Sequence, residues 1–255
     1  MSETISKNAF TLAEVLITLA VLGIVAALTL VSITSHYREK QTVIRLKSAY
    51  SIFSQAFLNA VEENGSPENW GLLDITNTKN EDDKTIYETA ENTVSGKILY
   101  DNMTETLKVV KKCDAGDESC LVTFDNGYWY GGILANGIAF NFIPRSGSCT
   151  YVCGSTKFLE NVCADITIDV DGPGKGENVF GKDMFRFHIS KYGIVPTGTS
   201  DETMFPFSSK CRFTTKNATY GGYFGEGCSA WVIYNENMEY LHCDGLSWGG
   251  KTKCN

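Results

Sequence analysis

The stretch from Phe10 to Ile33, FTLAEVLITLAVLGIVAALTLVSI, holds 24 residues and one charge, Glu14. It follows a polar leader, Met1–Ala9. As a helix rising about 1.5 Å per residue it would span roughly 36 Å, enough to cross a bilayer core. A carboxylate in such a run is costly, about 2.5–3.5 kcal/mol at the centre of an inserted helix. It is expected only where a specific partner pairs with it. A cleaved secretory signal does not account for the run, because its apolar region is about 7–15 residues long and ends at a small-x-small site. No such site follows Ile33. A plain membrane anchor accounts for the length but not for the carboxylate or for the polar-to-Phe junction.

The residues AFTLAEVLITLAVLGIVAALTLV resemble the prepilin-type N-terminal segment of type IV pilins and type II secretion pseudopilins. The resemblance implies cleavage between Ala9 and Phe10 by a prepilin peptidase and N-methylation of Phe10. It also implies an assembly role for Glu14, at the fifth mature position. Two residues depart from the pattern. Ala9 stands where the family usually has Gly, and Val31 where it often has Pro. A Pro would remove a helix hydrogen bond and bend the helix. Without it, a straighter helix is expected, or one that melts elsewhere, near Gly23.

Beyond Ile33 the helical period continues but becomes amphipathic. Val43, Leu46, Tyr50, Phe53, Phe57 and Ala60 recur at spacings of three and four. Asn64-Gly65-Ser66-Pro67 supplies the stop. One helix of roughly 80 Å is therefore expected from Phe10 to about Glu63, and its apolar stripe needs a covering layer. Residues 65–112 are mixed and polar, with an acidic patch Glu81-Asp82-Asp83 and a short helix expected around Thr93–Tyr100. From Leu121 the period changes to two. Strands are expected at Leu121–Asp125, Ile133–Ile143, Ile166–Val170, Met184–Ser190 and Ala230–Tyr234. A long helix followed by antiparallel strands is an α+β arrangement. It matches the pilin form that the resemblance implies, with the sheet laid on the C-terminal half of the helix. The expected segments are a leader (1–9), a membrane or filament-core helix (10–33), the amphipathic half of that helix (34–64) and an extracytoplasmic globular domain (65–255).

Nine cysteines, all from Cys113 to Cys254, indicate a disulfide-forming compartment. Zinc-type spacing is missing: there is no C-x-x-C. Connectivity is not readable from sequence. Short-range closure favours Cys113–Cys120, Cys149 or Cys153 with Cys163, Cys211–Cys228 and Cys243–Cys254, which leaves one thiol over. The cysteines also fix topology against an opposing signal. Lys7 is the one basic residue of the leader, whereas Arg38, Lys40, Arg45 and Lys47 follow the apolar run. The positive-inside bias would keep the large domain in the cytoplasm; disulfides require it outside.

A net charge of −8 with no basic run disfavours nucleic acid as a partner of the domain as a whole. Catalysis has little support. His36, His188 and His242 are the three histidines, and no nucleophile elbow, Walker loop or H-E-x-x-H is present. His188 lies in the alternating FRFHIS, as a packed or surface residue. Asp169, Asp171, Asn178 and Asp183 place oxygen ligands on a Gly-rich turn, a candidate calcium loop, although not an EF-hand. No cofactor is required. Tyr220, Tyr223, Phe224, Trp231, Tyr234, Tyr240 and Trp248 form an aromatic group in the Cys-rich C-terminal region. They are either a binding face or the core of a disulfide-stapled segment.

The expected function is that of a filament subunit of a type IV pilus or type II pseudopilus. Its implied partners are copies of itself or other pilins, the prepilin peptidase and methyltransferase, the inner-membrane assembly platform and membrane lipid. The alternative is an anchored minor pilin or adhesin acting through its C-terminal region. Pilus, secretion pseudopilus and DNA-uptake fibre share this N-terminus.

Overall fold

The computed structural model describes residues 11–75, 78–79, 85–86, 90–117, 120, 129–213 and 224–254. The Ala9–Phe10 junction, the acidic patch at 81–83, the strand expected at 121–125, and Tyr220 and Tyr223 lie outside them.

Helix α1 runs Leu12–Asn64 without a break at Gly23. Gly65 ends it in the left-handed conformation, φ +76°, and its N–H donates to the Val61 carbonyl at 3.0 Å. Only glycine adopts that φ without strain. The chain divides into two compact units within this helix, between Gln41 and Thr42. In the first unit Leu12, Leu16, Ile17, Leu19, Leu22 and Ile24 are exposed. Among the described residues no helix is long and apolar enough to cross a membrane.

In the second unit, Val43, Leu46, Ala49, Phe53, Phe57 and Ala60 are buried along one stripe. The six-stranded antiparallel sheet of this unit is a meander in chain order: β3 (Val109–Cys113), β4 (Gly131–Leu134), β5 (Ala139–Pro144), β6 (Val162–Asp169), β7 (Met184–Ser190) and β8 (Gly193–Pro196). A separate two-residue pair, β1 (Thr78–Lys79) and β2 (Thr85–Ile86), precedes helix α2 (Ala90–Thr104). Phe53 meets Phe140 edge-on, with centroids 5.1 Å apart, and Tyr50 stacks on Phe187 at 5.5 Å. Removing a large ring from such a core costs about 3–5 kcal/mol, so this stripe is what fastens the helix to the sheet.

The pleat sends alternate residues of β6 and β7 to opposite faces. Ala164, Ile166, Ile168, Phe185, Phe187 and Ile189 join the core that contains the helix stripe. Asp165, Thr167, Asp169, Arg186, His188 and Ser190 occupy the other face, yet they too are buried. Later segments cover them. Thr197 Oγ1 donates to the Arg186 carbonyl at 2.9 Å, and the Arg186 N–H donates to Ser229 Oγ at 3.1 Å.

Two expectations are corrected. The single strand expected at Ile133–Ile143 is two strands, β4 and β5, joined by a tight turn through Asn136-Gly137. Gly137 has φ +84°, and its N–H donates to the Leu134 carbonyl at 2.8 Å. Asn-Gly is a hairpin signal that interrupts the alternation. The strand expected at Ala230–Tyr234 is helix α4, Ser229–Asn235, which follows the short α3, Phe207–Lys210. Ser229 to Ile233 are all buried. A short run covered on every side carries no period that separates helix from strand.

Four disulfides join Cys113 to Cys120, Cys149 to Cys163, Cys211 to Cys228, and Cys243 to Cys254. Cys153 is a free, buried thiol. The Cys149–Cys163 pair connects the chain ahead of β6 to β6 itself. The last two pairs hold a region whose regular structure among the described residues is α4 and short turns of helix. Closing loops of this size is typically worth about 2–4 kcal/mol each.

Candidate functional site

Among the described residues, three places bring chemistry-bearing residues together. The first is the start of α1. Thr11 Oγ1 accepts the Glu14 N–H at 3.3 Å, and Glu14 Oε2 accepts the Thr11 N–H at 2.9 Å and the Thr11 hydroxyl at 2.8 Å. This is a reciprocal capping box, in which the first and fourth residues satisfy each other's orphan donors. The pattern Thr-x-x-Glu was present in the sequence and accounts for part of what Glu14 does. The carboxylate has a local partner within its own helix and remains exposed.

The second place is the loop between β6 and β7. Asp183 Oδ2 accepts the N–H groups of Glu177 and Asn178 at 2.6 and 2.8 Å, and its Oδ1 accepts that of Val179 at 2.6 Å. Asp183 therefore folds the loop around its own carboxylate. Gly176, at φ +66°, lies beneath two carboxylates: a β-carbon there would sit 2.2 Å from Asp183 Oδ2 and 2.7 Å from Asp171 Oδ2. Asp169 Oδ1 accepts the N–H groups of Asp171 and Gly172 at 3.2 and 2.9 Å. Three buried oxygens of this loop, Asp169 Oδ2, Asp171 Oδ1 and Asn178 Oδ1, meet no donor. Burial, followed by the neighbouring Asp171 carboxylate, pushes the Asp169 carboxyl up to about 7. Burial also raises Asp183, against its three backbone donors.

The third place is the polar face of β6 and β7, with the segments that cover it. The register sets Asp165 opposite His188. His188 Nδ1 lies 2.7 Å from Asp165 Oδ1, and its Nε2 lies 3.1 Å from Glu202 Oε2. Asp165 Oδ2 accepts from Arg145 Nε and Nη2 at 2.9 and 2.7 Å. Glu202 Oε1 accepts the N–H groups of Met204 and Phe205, each at 3.1 Å. Burial alone would raise the Asp165 carboxyl, but Arg145 and His188 outweigh it and hold it well below the usual range. Burial opposes charge on His188, yet Asp165, Cys153 and Glu202 raise it well above its ordinary value. The Cys153 thiol is pushed up, chiefly by burial.

This chain of charges was not anticipated. Its signal lay in CADITID and FRFHIS, whose alternation sends Asp165 and His188 to one face if the strands pair. Nothing in the sequence tied Arg145 or Glu202 to them.

The aromatic group is divided. Trp231 is fully buried and stacks on Phe207, with centroids 4.3 Å apart. Trp248 packs against Trp231 and donates Nε1–H to the Gly198 carbonyl at 2.9 Å. Tyr240 is buried and donates to the Gly181 carbonyl at 2.8 Å, whereas Tyr234 is exposed.

Residues 6–30 match the prokaryotic N-terminal methylation motif. Residues 32–217 match a family described as of unknown function (DUF6613). No curated protein and no solved structure matches the chain.

Proposed function

Because the chain belongs to the family of unknown function DUF6613 and carries a prepilin-type methylation segment of the pilin and pseudopilin kind, we propose that it is a structural subunit of a type IV pilus or type II secretion pseudopilus filament. The observation that carries this reading is a continuity. The helix that starts within the methylation segment continues unbroken to Asn64, where its last turns form the core under the sheet.

In this reading the chain is cleaved between Ala9 and Phe10 and methylated on Phe10. It is held in the inner membrane by residues 10–33, with the disulfide-bearing domain outside. An assembly platform then draws it into a helical filament with copies of itself or other pilins. The burial of Trp231 and Tyr240 favours this role over that of an adhesin, because those rings serve the core of the C-terminal region.

Mass spectrometry of assembled protein tests the processing step. The mature chain is expected to begin at N-methyl-Phe10. Assembled subunits that retain Met1 would overturn it.

The loop between β6 and β7 supports a cofactor proposal of its own. Calcium takes six to eight oxygens and favours carboxylate and amide donors on flexible loops. Asp169, Asp171 and Asn178 would supply the three buried oxygens that lack donors, while Asp183 holds the loop in shape. Calcium is expected to raise the melting temperature of the detergent-purified full chain. The gain is about 2.7 kcal/mol when free calcium is about 100-fold above its Kd, and Asp171→Asn is expected to abolish it. A melting curve unchanged by calcium or chelator would remove the loop as a site.

A further inference from the structure

Cys153, His188 and Glu202 are all fully or almost fully buried, and Cys153 Sγ, a ring nitrogen of His188 and a carboxylate oxygen of Glu202 lie within 4.8 Å of one another. Three separate parts of the chain meet here. Cys153 comes from the segment ahead of β6, His188 from β7, and Glu202 from the segment after β8. An isolated bridge between Gly154 and Glu202 brings the first and third together, and the Thr203 N–H seals it on the Cys153 carbonyl at 2.8 Å. We propose that these three side chains form a buried site for one divalent cation of the zinc class, which staples the covering segments to the back of the sheet.

Five observations carry the assignment. Thiolate, imidazole and carboxylate are the ligand types zinc takes. The thiol is the one cysteine left out of the four disulfides, so it is free to coordinate. Behind His188, Asp165 Oδ1 receives Nδ1 at 2.7 Å and is itself anchored by Arg145. A carboxylate on the far nitrogen is the arrangement that orients a metal-bound imidazole and directs Nε2 at the ion. Glu202 is fixed in the same way: its Oε1 is taken by two backbone N–H groups, which leaves Oε2 turned toward His188. The Met204 thioether, 3.7 Å from Cys153 Sγ, adds a soft neighbour on the thiol side.

The charge balance permits the exchange. With protons on His188 and Cys153, the group Arg145⁺, Asp165⁻, HisH⁺, Glu202⁻ and neutral thiol sums to zero. If the Nε2 and Sγ protons leave and one M²⁺ enters, the sum is again zero. A dry site that tolerates the first state therefore tolerates the second without an unpaired charge.

Cobalt is the probe, because a thiolate bound to Co²⁺ gives a sulfur-to-metal charge-transfer band that oxygen sites such as the β6–β7 loop do not give. The full chain, purified in detergent with its disulfides intact, is expected to take up one Co²⁺ with that band. One equivalent of Zn²⁺ is expected to erase it. Cys153→Ser should lose the band while retaining its four disulfides and its circular dichroism. Glu202→Gln, whose amide oxygen still accepts the two backbone N–H groups, should weaken cobalt binding at least about tenfold, the loss typical of a damaged metal shell. Folded wild-type protein with no charge-transfer band, or a band that persists in Cys153→Ser, would overturn the site. It would leave the cluster as an ion-pair network only.

Discussion

Asp165→Asn is expected to destabilise the sheet domain by about 3–5 kcal/mol, the scale of removing one member from a buried charged pair. Asparagine has nearly the same shape, so packing survives and the change isolates charge. Asp165 is fully buried between Arg145, which gives it two guanidinium hydrogen bonds, and His188. Without the carboxylate, the buried His188 and the partly exposed Arg145 face an amide. Arg145 keeps the Tyr151 ring, 5.8 Å from its guanidinium carbon, but no anion takes the place of Asp165. His188 must shed its proton or lean on Glu202 alone. Urea denaturation of the full chain in detergent measures the effect as a fall in midpoint with little change in slope. A loss under about 1 kcal/mol, the scale of an exposed pair, would show that neither cation depends on Asp165.

The second large effect is on assembly. Glu14→Ala is expected to leave membrane insertion intact or improved and to cut filament yield sharply. In the proposed mature chain the Phe10 amine lies one turn from Glu14, on the same helix face. A neighbouring subunit's amine that meets this carboxylate in apolar surroundings would set the register of the incoming helix. An unpaired partner there costs about 3–5 kcal/mol. The capping box supplies a competing explanation, because Ala also removes the bonds to the Thr11 N–H and hydroxyl. Glu14→Gln separates the two. An amide oxygen still accepts those bonds, so the helix start is kept while the charge is lost. Filament yield at equal subunit level is expected to fall with Gln as it does with Ala. Normal assembly of the Gln variant would reduce Glu14 to a helix cap.

What was legible in the sequence follows from which signals are local. The methylation segment, the helix that continues from it and its stripe at Val43, Leu46, Phe53 and Phe57 are properties of spacing along one element, and spacing is written in the chain. So were β6 and β7, whose alternation matches the pleat. The two strand errors have local causes as well. Asn136-Gly137 was a turn signal read through, and Ser229–Ile233 is buried on all sides, so its pattern named no element.

The methylation segment and the α+β class were thus determined by sequence alone, because each rests on the spacing of contiguous residues. Tertiary structure decided which of Cys149 and Cys153 bonds Cys163, since both stand at nearly the same distance along the chain. It also decided that the back of the sheet is dry. A polar strand face reads as solvated until something covers it, and here the covering chain comes from far along the sequence, at Glu202 and Ser229. Burial turned His188 from an ordinary strand residue into the centre of a charged network, because a charge removed from water must find its partners in whatever the fold brings beside it.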